Sequence, residues 1–198
     1  HRDLHSFPTR RSSDLGIGPH DIDKVMGVFK AYETRVGNGP MPSEFNEADA
    51  SESELCTYVR NTGNEYGVTT GRARRCGYLD LVALRYACRV NSIDSLVLTH
   101  LDIYDTFDEI EACVAYDVDG KIVTDFPASV TAMEHAKPVL EKFSGWKKSL
   151  KECRSYEELP AAARAYVEFI EDYCKVPVGI ISVGYERNET FIRKNPWA

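Results

Sequence analysis

Two short apolar runs restrict the fold of this chain more than any other feature of its sequence. The runs "SLVLTHLD", residues 95–102, and "VPVGIISVG", residues 176–184, are typical of strands buried on both faces of a parallel sheet. Each run follows a segment with helical periodicity and ends in polar residues or glycine. This alternation predicts an α/β fold in which ligands bind beyond the carboxyl ends of the parallel strands.

Helical periodicity precedes both runs. In the first segment apolar residues recur at i, i+3, i+4 and i+7, which predicts a helix that ends near Asn91. Its apolar positions are Leu79, Val82, Ala83, Tyr86, Ala87 and Val90. A second helix is predicted after Pro160, and its apolar face consists of Tyr166, Phe169, Ile170 and Tyr173. Capping boxes at Ser51–Glu54 and Ser155–Glu158 are each expected to lead into a helix.

The other segments predict strands and turns. Residues 25–32 form a short strand-like piece, which runs into a loop rich in glycine and proline at residues 37–42. Apolar residues alternate strictly over residues 110–118 and reach Asp119-Gly120, after which the apolar pattern resumes. This pattern predicts an antiparallel hairpin.

Composition limits the kinds of partner that the chain can have. With 198 residues and 43% hydrophobic content, the chain is large enough for one domain with its own core. A net charge of −7 argues against a general nucleic-acid or membrane-surface binder, because such proteins usually carry a basic excess. No apolar run approaches the roughly 18 residues that span a bilayer, so we expect a soluble cytoplasmic protein. The scattered cysteines form no C-x-x-C pair and are expected to be reduced: Cys56, Cys76, Cys88, Cys113, Cys153 and Cys174.

The first 15 residues differ in character from the rest of the chain. "HRDLHSFPTRRSSDL" has neither a helical nor a strand period, and the sequence changes abruptly at Gly16. We expect residues 1–15 to be a non-native tail, similar to translated sequencing-adapter sequence, with a native disordered arm as the alternative. Residues 16–198 are expected to be part of a longer protein.

A basic loop precedes the first predicted helix. "GVTTGRARRCG", residues 67–77, combines three arginines with two threonines and three glycines, which give the loop flexible hinges. Guanidinium groups bind carboxylate or phosphate oxygens two at a time, and the threonine hydroxyls add further donors. The composition favours an anion clamp, and a basic surface loop that opens a helix is the alternative.

The segment "THLD", residues 99–102, is a second candidate. It resembles the [N/T]-K-x-D element of guanine-nucleotide-binding proteins, in which the aspartate accepts hydrogen bonds from guanine N1–H and the 2-amino group. Adenine does not present these donors. A helix-capping role for Asp102 is the alternative.

Five ordered segments resemble the adenylosuccinate synthetase family over nearly the whole of residues 16–198. They are "KAYETRVGNGPMPSEF", "GNEYGVTTGRARRCGYLDLVALRYA", "LTHLDIYDTFDEIEACVAY", "YEELPAAARAYVEFIE" and "VPVGIISVG". The resemblance implies a GTP-dependent ligase of purine biosynthesis, in which GTP phosphorylates the 6-oxygen of IMP and L-aspartate then displaces the phosphate. It also implies a homodimer, and the carboxyl-terminal portion of a mostly parallel, P-loop-NTPase-like fold with an antiparallel hairpin.

The resemblance assigns binding roles to residues of this chain. For L-aspartate the matching residues are Val68, Thr69, Thr70, Gly71, Arg72, Ala73 and Arg74. For IMP they are Arg72, Val36 and Gly37. For GTP they are Arg74, His100, Leu101, Asp102, Ser182, Val183 and Gly184.

The chain also departs from the family's pattern. His100, Tyr78 and Tyr185 stand where the family usually has lysine, tryptophan and proline. The family's phosphate loop, its catalytic aspartate and histidine and its Mg²⁺ ligands match nothing in this chain, and we expect them upstream. No catalytic residue or metal ligand is therefore assigned here, and the chain alone is expected to be inactive. A non-catalytic guanine-nucleotide-binding module or partner subunit is the alternative function.

Overall fold

The structure is a computed structural model and describes residues 16 and 18–197. The tail predicted at residues 1–15 lies outside the described residues. The α-helices are α1 Ala50–Thr62, α2 Leu81–Val90, α3 Val130–His135 and α4 Ala161–Cys174. The strands are β1 Met26–Lys30, β2 Glu33–Arg35, β3 Arg75–Gly77, β4 Leu79–Asp80, β5 Ser95–Thr99, β6 Glu109–Val118, β7 Lys121–Val123, β8 Ala136–Ser144, β9 Val178–Ser182 and β10 Thr190–Ile192. Short 3₁₀ turns occur at Pro19–Asp21, Leu101–Tyr104 and Arg187–Glu189.

The main sheet of the described residues has the strand order β1-β5-β9-β10. Strands β1, β5 and β9 are parallel, and β10 is antiparallel to β9. Helix α2 precedes β5 and helix α4 precedes β9, so both predicted buried strands and both predicted helices are confirmed. Leu96, Leu98 and Ile181 lie almost fully buried on these strands. The carboxyl ends of β1, β5 and β9 therefore meet at one edge of the sheet.

The second sheet of the described residues is built around the long strand β6. Strand β4 pairs with β6 in parallel, while β7 and β8 pair with it in antiparallel orientation. The β6–β7 hairpin was predicted correctly: Asp119 and Gly120 form its turn with positive φ angles of 53° and 83°, as a type I′ turn requires. The pairing of β8 with β6 was not predicted. Parallel pairing is therefore present in the β1-β5-β9 core and between β4 and β6, the other pairs among the described residues are antiparallel, and the fold is a mixed α/β structure.

Both predicted capping boxes are wrong. Asp49 caps α1, because its side chain accepts hydrogen bonds from the backbone N–H groups of Ser51 and Glu52, and Ser51–Glu54 lies inside the helix. Pro160 precedes α4 without a side-chain cap. The Glu158 carboxylate of the second predicted box instead accepts a hydrogen bond from the backbone N–H of Arg154.

The helix predicted from Leu79 begins two residues later than expected. Leu79 and Asp80 form β4 and pair with Ala112 and Cys113 of β6. The Asp80 carboxylate then accepts a hydrogen bond from the backbone N–H of Ala83 and caps α2. The predicted end near Asn91 is confirmed, since Asn91 is the C-cap of this helix.

Candidate nucleotide and anion site

The carboxyl ends of the three parallel strands lie side by side at one edge of the main sheet. Lys30, the last residue of β1, lies opposite Thr99, the last residue of β5. The Thr99 hydroxyl donates to the carbonyl of Phe29 at 2.9 Å, and the backbone N–H of Ala31 donates to the carbonyl of Thr99 at 2.9 Å. Ser182 ends the neighbouring strand β9. Ligands of open parallel sheets bind beyond such an edge.

His100 follows β5 directly and changes the direction of the chain. Its φ angle of 57° is left-handed, and the chain then enters the 3₁₀ turn Leu101–Tyr104. The imidazole makes edge-on contacts with the rings of Tyr32 and Tyr185, with centroid distances of 5.6 and 6.3 Å. Burial, together with the nearby Lys30 ammonium, lowers the pKa of His100 below its usual value. The ring is therefore neutral at pH 7.

Asp102 lies in the same turn and is partly buried. Burial raises the pKa of its carboxyl group above the usual value, and the nearby Asp105 and Glu189 carboxylates act in the same direction. The turn has no side-chain cap, so Asp102 does not have the capping geometry of the alternative interpretation. Among the described residues, no side chain donates a hydrogen bond to its carboxylate. A hydrogen bond from its own backbone N–H acts in the opposite direction on the pKa, and Asp102 is thus a partly buried acceptor at the edge of the sheet.

The loop after β9 is fixed by Glu189. The backbone N–H of Val183 donates to the carbonyl of Glu189 at 2.8 Å, and the hydroxyl of Ser182 donates to the carbonyl of Gly184 at 3.0 Å. The buried Glu189 carboxylate leaves no space for a Cβ atom at Gly184. A side chain at position 184 would therefore have to displace the Glu189 carboxylate.

The basic loop forms the tip of a hairpin. The backbone N–H of Gly67 donates to the carbonyl of Arg72 at 2.8 Å, and that of Gly71 donates to the carbonyl of Gly67 at 2.7 Å. The tip residues are exposed: Val68, Thr69, Thr70, Gly71, Arg72 and Ala73. In the described part of the chain, the Arg72 guanidinium has neither a hydrogen-bond nor an ion-pair partner. Its donors are therefore available to an anion.

Arg75 connects the basic loop to the predicted purine-lining loop. Its guanidinium binds both carboxylate oxygens of Glu44, at 2.7 and 2.5 Å. It also donates to the carbonyls of Gly37 at 3.1 Å and Gly39 at 2.8 Å. Val36 and Gly37 are exposed beside this contact. Two predicted binding segments that are about 30 residues apart in sequence are thereby adjacent in the fold.

Sequence reasoning missed a buried carboxylate behind the basic loop. Glu65, of which only 1% is exposed, accepts hydrogen bonds from the Lys30 ammonium at 2.5 Å, the Tyr32 hydroxyl at 2.5 Å and the Arg74 guanidinium at 2.7 Å. Burial alone would raise the pKa of Glu65, but these hydrogen bonds together hold it below its usual value. One signal was available: Lys30 is a charged residue within the otherwise apolar predicted first strand, residues 25–32.

The described residues were compared with what a metal centre and a membrane span would need. They contain no group of three or more histidine, cysteine, aspartate or glutamate residues that could hold a metal ion. No helix in the described part of the chain has the length and apolar character needed to cross a membrane. All six cysteines are buried and unpaired.

Together these features define an α/β protein with a candidate ligand site at the carboxyl ends of parallel strands. Polar residues lie after β5 and β9. The comparisons with known proteins identify the family within this class.

A family model for adenylosuccinate synthetase matches residues 5–191. The adenylosuccinate synthetase of Caldanaerobacter subterraneus is 47% identical over 180 residues, and that of Synechococcus sp. strain RCC307 is 45% identical over 181 residues. The solved structure of fully ligated adenylosuccinate synthetase from Plasmodium falciparum matches 92% of the chain with a TM-score of 0.84 and 40% identity. This chain belongs to the adenylosuccinate synthetase family. It spans 41% and 40% of the lengths of the two curated relatives and 43% of the solved chain.

Proposed function

We propose that this chain is the carboxyl-terminal part of a cytoplasmic, homodimeric GTP-dependent ligase that joins IMP and L-aspartate to form adenylosuccinate. The observation that carries the proposal is the meeting of His100–Asp102 and Ser182–Gly184 at adjacent strand ends. The fold is proposed to complete a P-loop-NTPase-like sheet in the full-length protein.

The guanine base of GTP is proposed to bind between these two segments. The Asp102 carboxylate would accept hydrogen bonds from guanine N1–H and the 2-amino group, while His100 would pack against the base. Ser182, Val183 and Gly184 would supply the second contact surface, held in place by Glu189. A desolvated acceptor discriminates strongly, because an analogue without the matching donors leaves it unsatisfied.

The basic loop is proposed to hold the other anionic substrates. The free Arg72 guanidinium suits the carboxylates of L-aspartate and contacts bound IMP, with donors from Thr69 and Thr70. Val36 and Gly37 would line the purine of IMP, which agrees with their link to the basic loop through Arg75. Arg74 is proposed to reach GTP.

The catalytic groups and the metal ion are proposed to come from the part of the full-length enzyme that this chain does not cover. Proton transfer on the purine needs a positioned acid and base, and phosphoryl transfer needs charge stabilisation by a phosphate loop and a metal ion. The Mg²⁺ ion is therefore proposed to bind outside this chain. The chain alone is expected to have no ligase activity.

The test uses what we call the joined enzyme, in which residues 16–198 follow the amino-terminal part of the Caldanaerobacter synthetase. Asp102→Asn should weaken the use of GTP by about 2 kcal/mol or more, the scale of a lost hydrogen bond to a charged group. It should also improve the use of xanthosine triphosphate, whose 2-oxo group can accept a hydrogen bond from the new amide. The measurement is the ratio of kcat/KM for the two nucleotides.

Asp172→Asn is the matched control, because Asp172 lies exposed on α4 and, among the described residues, forms an ion pair only with Lys175. It should leave the nucleotide ratio unchanged. An unchanged ratio in Asp102→Asn as well would show that guanine is read elsewhere. Guanine-nucleotide binding without ligase activity in the joined enzyme would favour the non-catalytic binding module.

A further inference from the structure

Two cations share one buried carboxylate beside the proposed base site. We call Lys30, Tyr32, Glu65 and Arg74 the Glu65 cluster. The Lys30 ammonium and the Arg74 guanidinium both bind the Glu65 carboxylate, and the Tyr32 hydroxyl donates a third hydrogen bond to it. Two positive charges and one negative charge leave the cluster with one excess positive charge, in a chain whose net charge is −7. The positive charge of the cluster thus attracts anions locally.

The cluster lies next to the base site across the sheet. Lys30 ends β1 and lies opposite Thr99, which directly precedes His100. The Tyr32 ring contacts the His100 ring edge-on, with the centroids 5.6 Å apart. A nucleotide whose base lies beyond β5 and β9 can therefore extend its phosphates along the strand ends toward β1.

Both cations keep donors that the protein does not use. Lys30 has three N–H donors, of which Glu65 takes one at 2.5 Å and the Thr34 hydroxyl a second at 3.4 Å. Arg74 has five, and its side chain bonds only to Glu65 among the described residues. The two side chains are 28% and 31% exposed, so the remaining donors can reach a ligand.

Arg74 is also fixed through its backbone. Its N–H donates to the carbonyl of Glu65 at 2.9 Å, and its carbonyl accepts from the Arg60 side chain at 3.1 Å. The backbone N–H of Glu65 donates in turn to the carbonyl of Arg60 at 2.8 Å. A cation fixed in this way loses little further conformational freedom when it binds an anion.

We propose that Lys30 is a further phosphate-binding residue of this site, and that Glu65 is the positioning residue that holds Lys30 and Arg74 together as a two-cation clamp. This inference rests on the proposed function, since it takes the phosphates of the bound guanine nucleotide as the ligand. Glu65 offsets the repulsion between the two cations and sets their spacing, without touching the nucleotide itself.

The test compares GDP with guanosine, which has the same base and no phosphates. Binding to the joined enzyme is measured by isothermal titration calorimetry. Lys30→Met should weaken GDP binding about 10-fold and Glu65→Gln about 10- to 30-fold, on the scale of lost charge-assisted hydrogen bonds. Both variants should leave guanosine binding within about twofold of the unchanged protein. Glu65→Asp, which keeps the charge, should recover part of the GDP affinity.

Lys142→Met is the matched control, because Lys142 is exposed on β8 and pairs with Glu109 and Glu111. It should change neither affinity. GDP affinity that is unchanged in Lys30→Met, or equal losses of GDP and guanosine affinity in Glu65→Gln, would overturn the clamp and leave Glu65 a merely structural residue. Asp102→Asn separates the two proposals. If this variant binds guanosine as tightly as the unchanged protein, the assignment of Asp102 to the guanine base is wrong. The two-cation clamp is tested independently by the GDP affinity of Lys30→Met.

Discussion

Neighbouring arginines of the basic loop have different partners. Arg72 is exposed and has no side-chain partner among the described residues, Arg74 is held by buried Glu65, and Arg75 makes four hydrogen bonds to Glu44 and two backbone carbonyls. An arginine whose donors are already satisfied has little left to offer a ligand. Arg72 is therefore the arginine of this loop that is freest to bind an added anion.

Arg72→Leu tests this role directly. In the joined enzyme the substitution should raise the KM for L-aspartate or IMP by about 10- to 100-fold, because charge-assisted hydrogen bonds to an anion are lost. Steady-state kinetics with each substrate varied in turn measure the effect. Arg89→Leu, at an exposed position near the end of α2, is the control and should change neither KM. Wild-type kinetics in Arg72→Leu would show that the segment is only a basic surface loop.

At the scale of elements, the Asp80 side chain links the start of α2 to the second sheet. Asp80 is buried, and its carboxylate accepts hydrogen bonds from the backbone N–H of Ala83 at 2.9 Å and from the Tyr116 hydroxyl of β6 at 2.6 Å. One residue thus caps the helix and binds the strand beside it. The predicted start of α2 was two residues too early. Leu79 has the spacing expected of the first apolar residue of the helix, but it belongs to β4.

Asp80→Ala should lower the free energy of unfolding by about 2–4 kcal/mol. The substitution removes a helix cap, and it leaves the buried Tyr116 hydroxyl without its acceptor. Urea unfolding of the joined enzyme measures the change. Adding Tyr116→Phe to Asp80→Ala should restore part of the loss, because the unsatisfied hydroxyl is removed. If the double variant is less stable than Asp80→Ala by the full cost of Tyr116→Phe alone, the two residues are not coupled.

At the scale of the whole molecule, one edge of the main sheet is open in the described residues. Strand β1 is the parallel edge strand of the order β1-β5-β9-β10, and its Val28 side chain is 71% exposed. A cavity of about 330 Å³ lies between β1 and α2 and is lined mainly by apolar side chains, including Phe29, Leu79 and Leu84. An exposed strand edge beside an apolar surface favours association with other chains.

Residues 16–198 expressed alone should therefore be poorly soluble or molten. The expected signs are binding of a hydrophobic dye, a broad thermal transition and a concentration-dependent loss of protein from solution. The joined enzyme, in which the open edge is proposed to be covered, is the control and should unfold in a sharper transition. A sharp cooperative thermal transition in a monomeric preparation of residues 16–198 would contradict this prediction.

Local patterns allowed most of the secondary structure to be predicted. The parallel strands β5 and β9, the helices α2 and α4 and the β6–β7 hairpin were all predicted, because burial on one or two faces leaves a period in the sequence. The capping boxes failed because several residues near a helix start can serve as the cap, and Asp49 caps α1 two residues before Ser51 by accepting hydrogen bonds from the backbone N–H groups of Ser51 and Glu52. The assignment of bound substrates to the basic loop and the strand ends stays a prediction.

What the sequence determined by itself was the local conformation and the family, because apolar periodicity and long specific segments are properties of consecutive residues. Only the tertiary structure decided which distant residues meet. Strand β8 pairs with β6 across a long connection, and Lys30 reaches Glu65 from 35 positions away. Such contacts depend on the packing of all the elements together. A buried carboxylate needs hydrogen-bond partners, and these partners can come from residues that are distant in the sequence. The division of roles among Arg72, Arg74 and Arg75 follows from those partners, and nothing in their shared side-chain chemistry distinguishes the three.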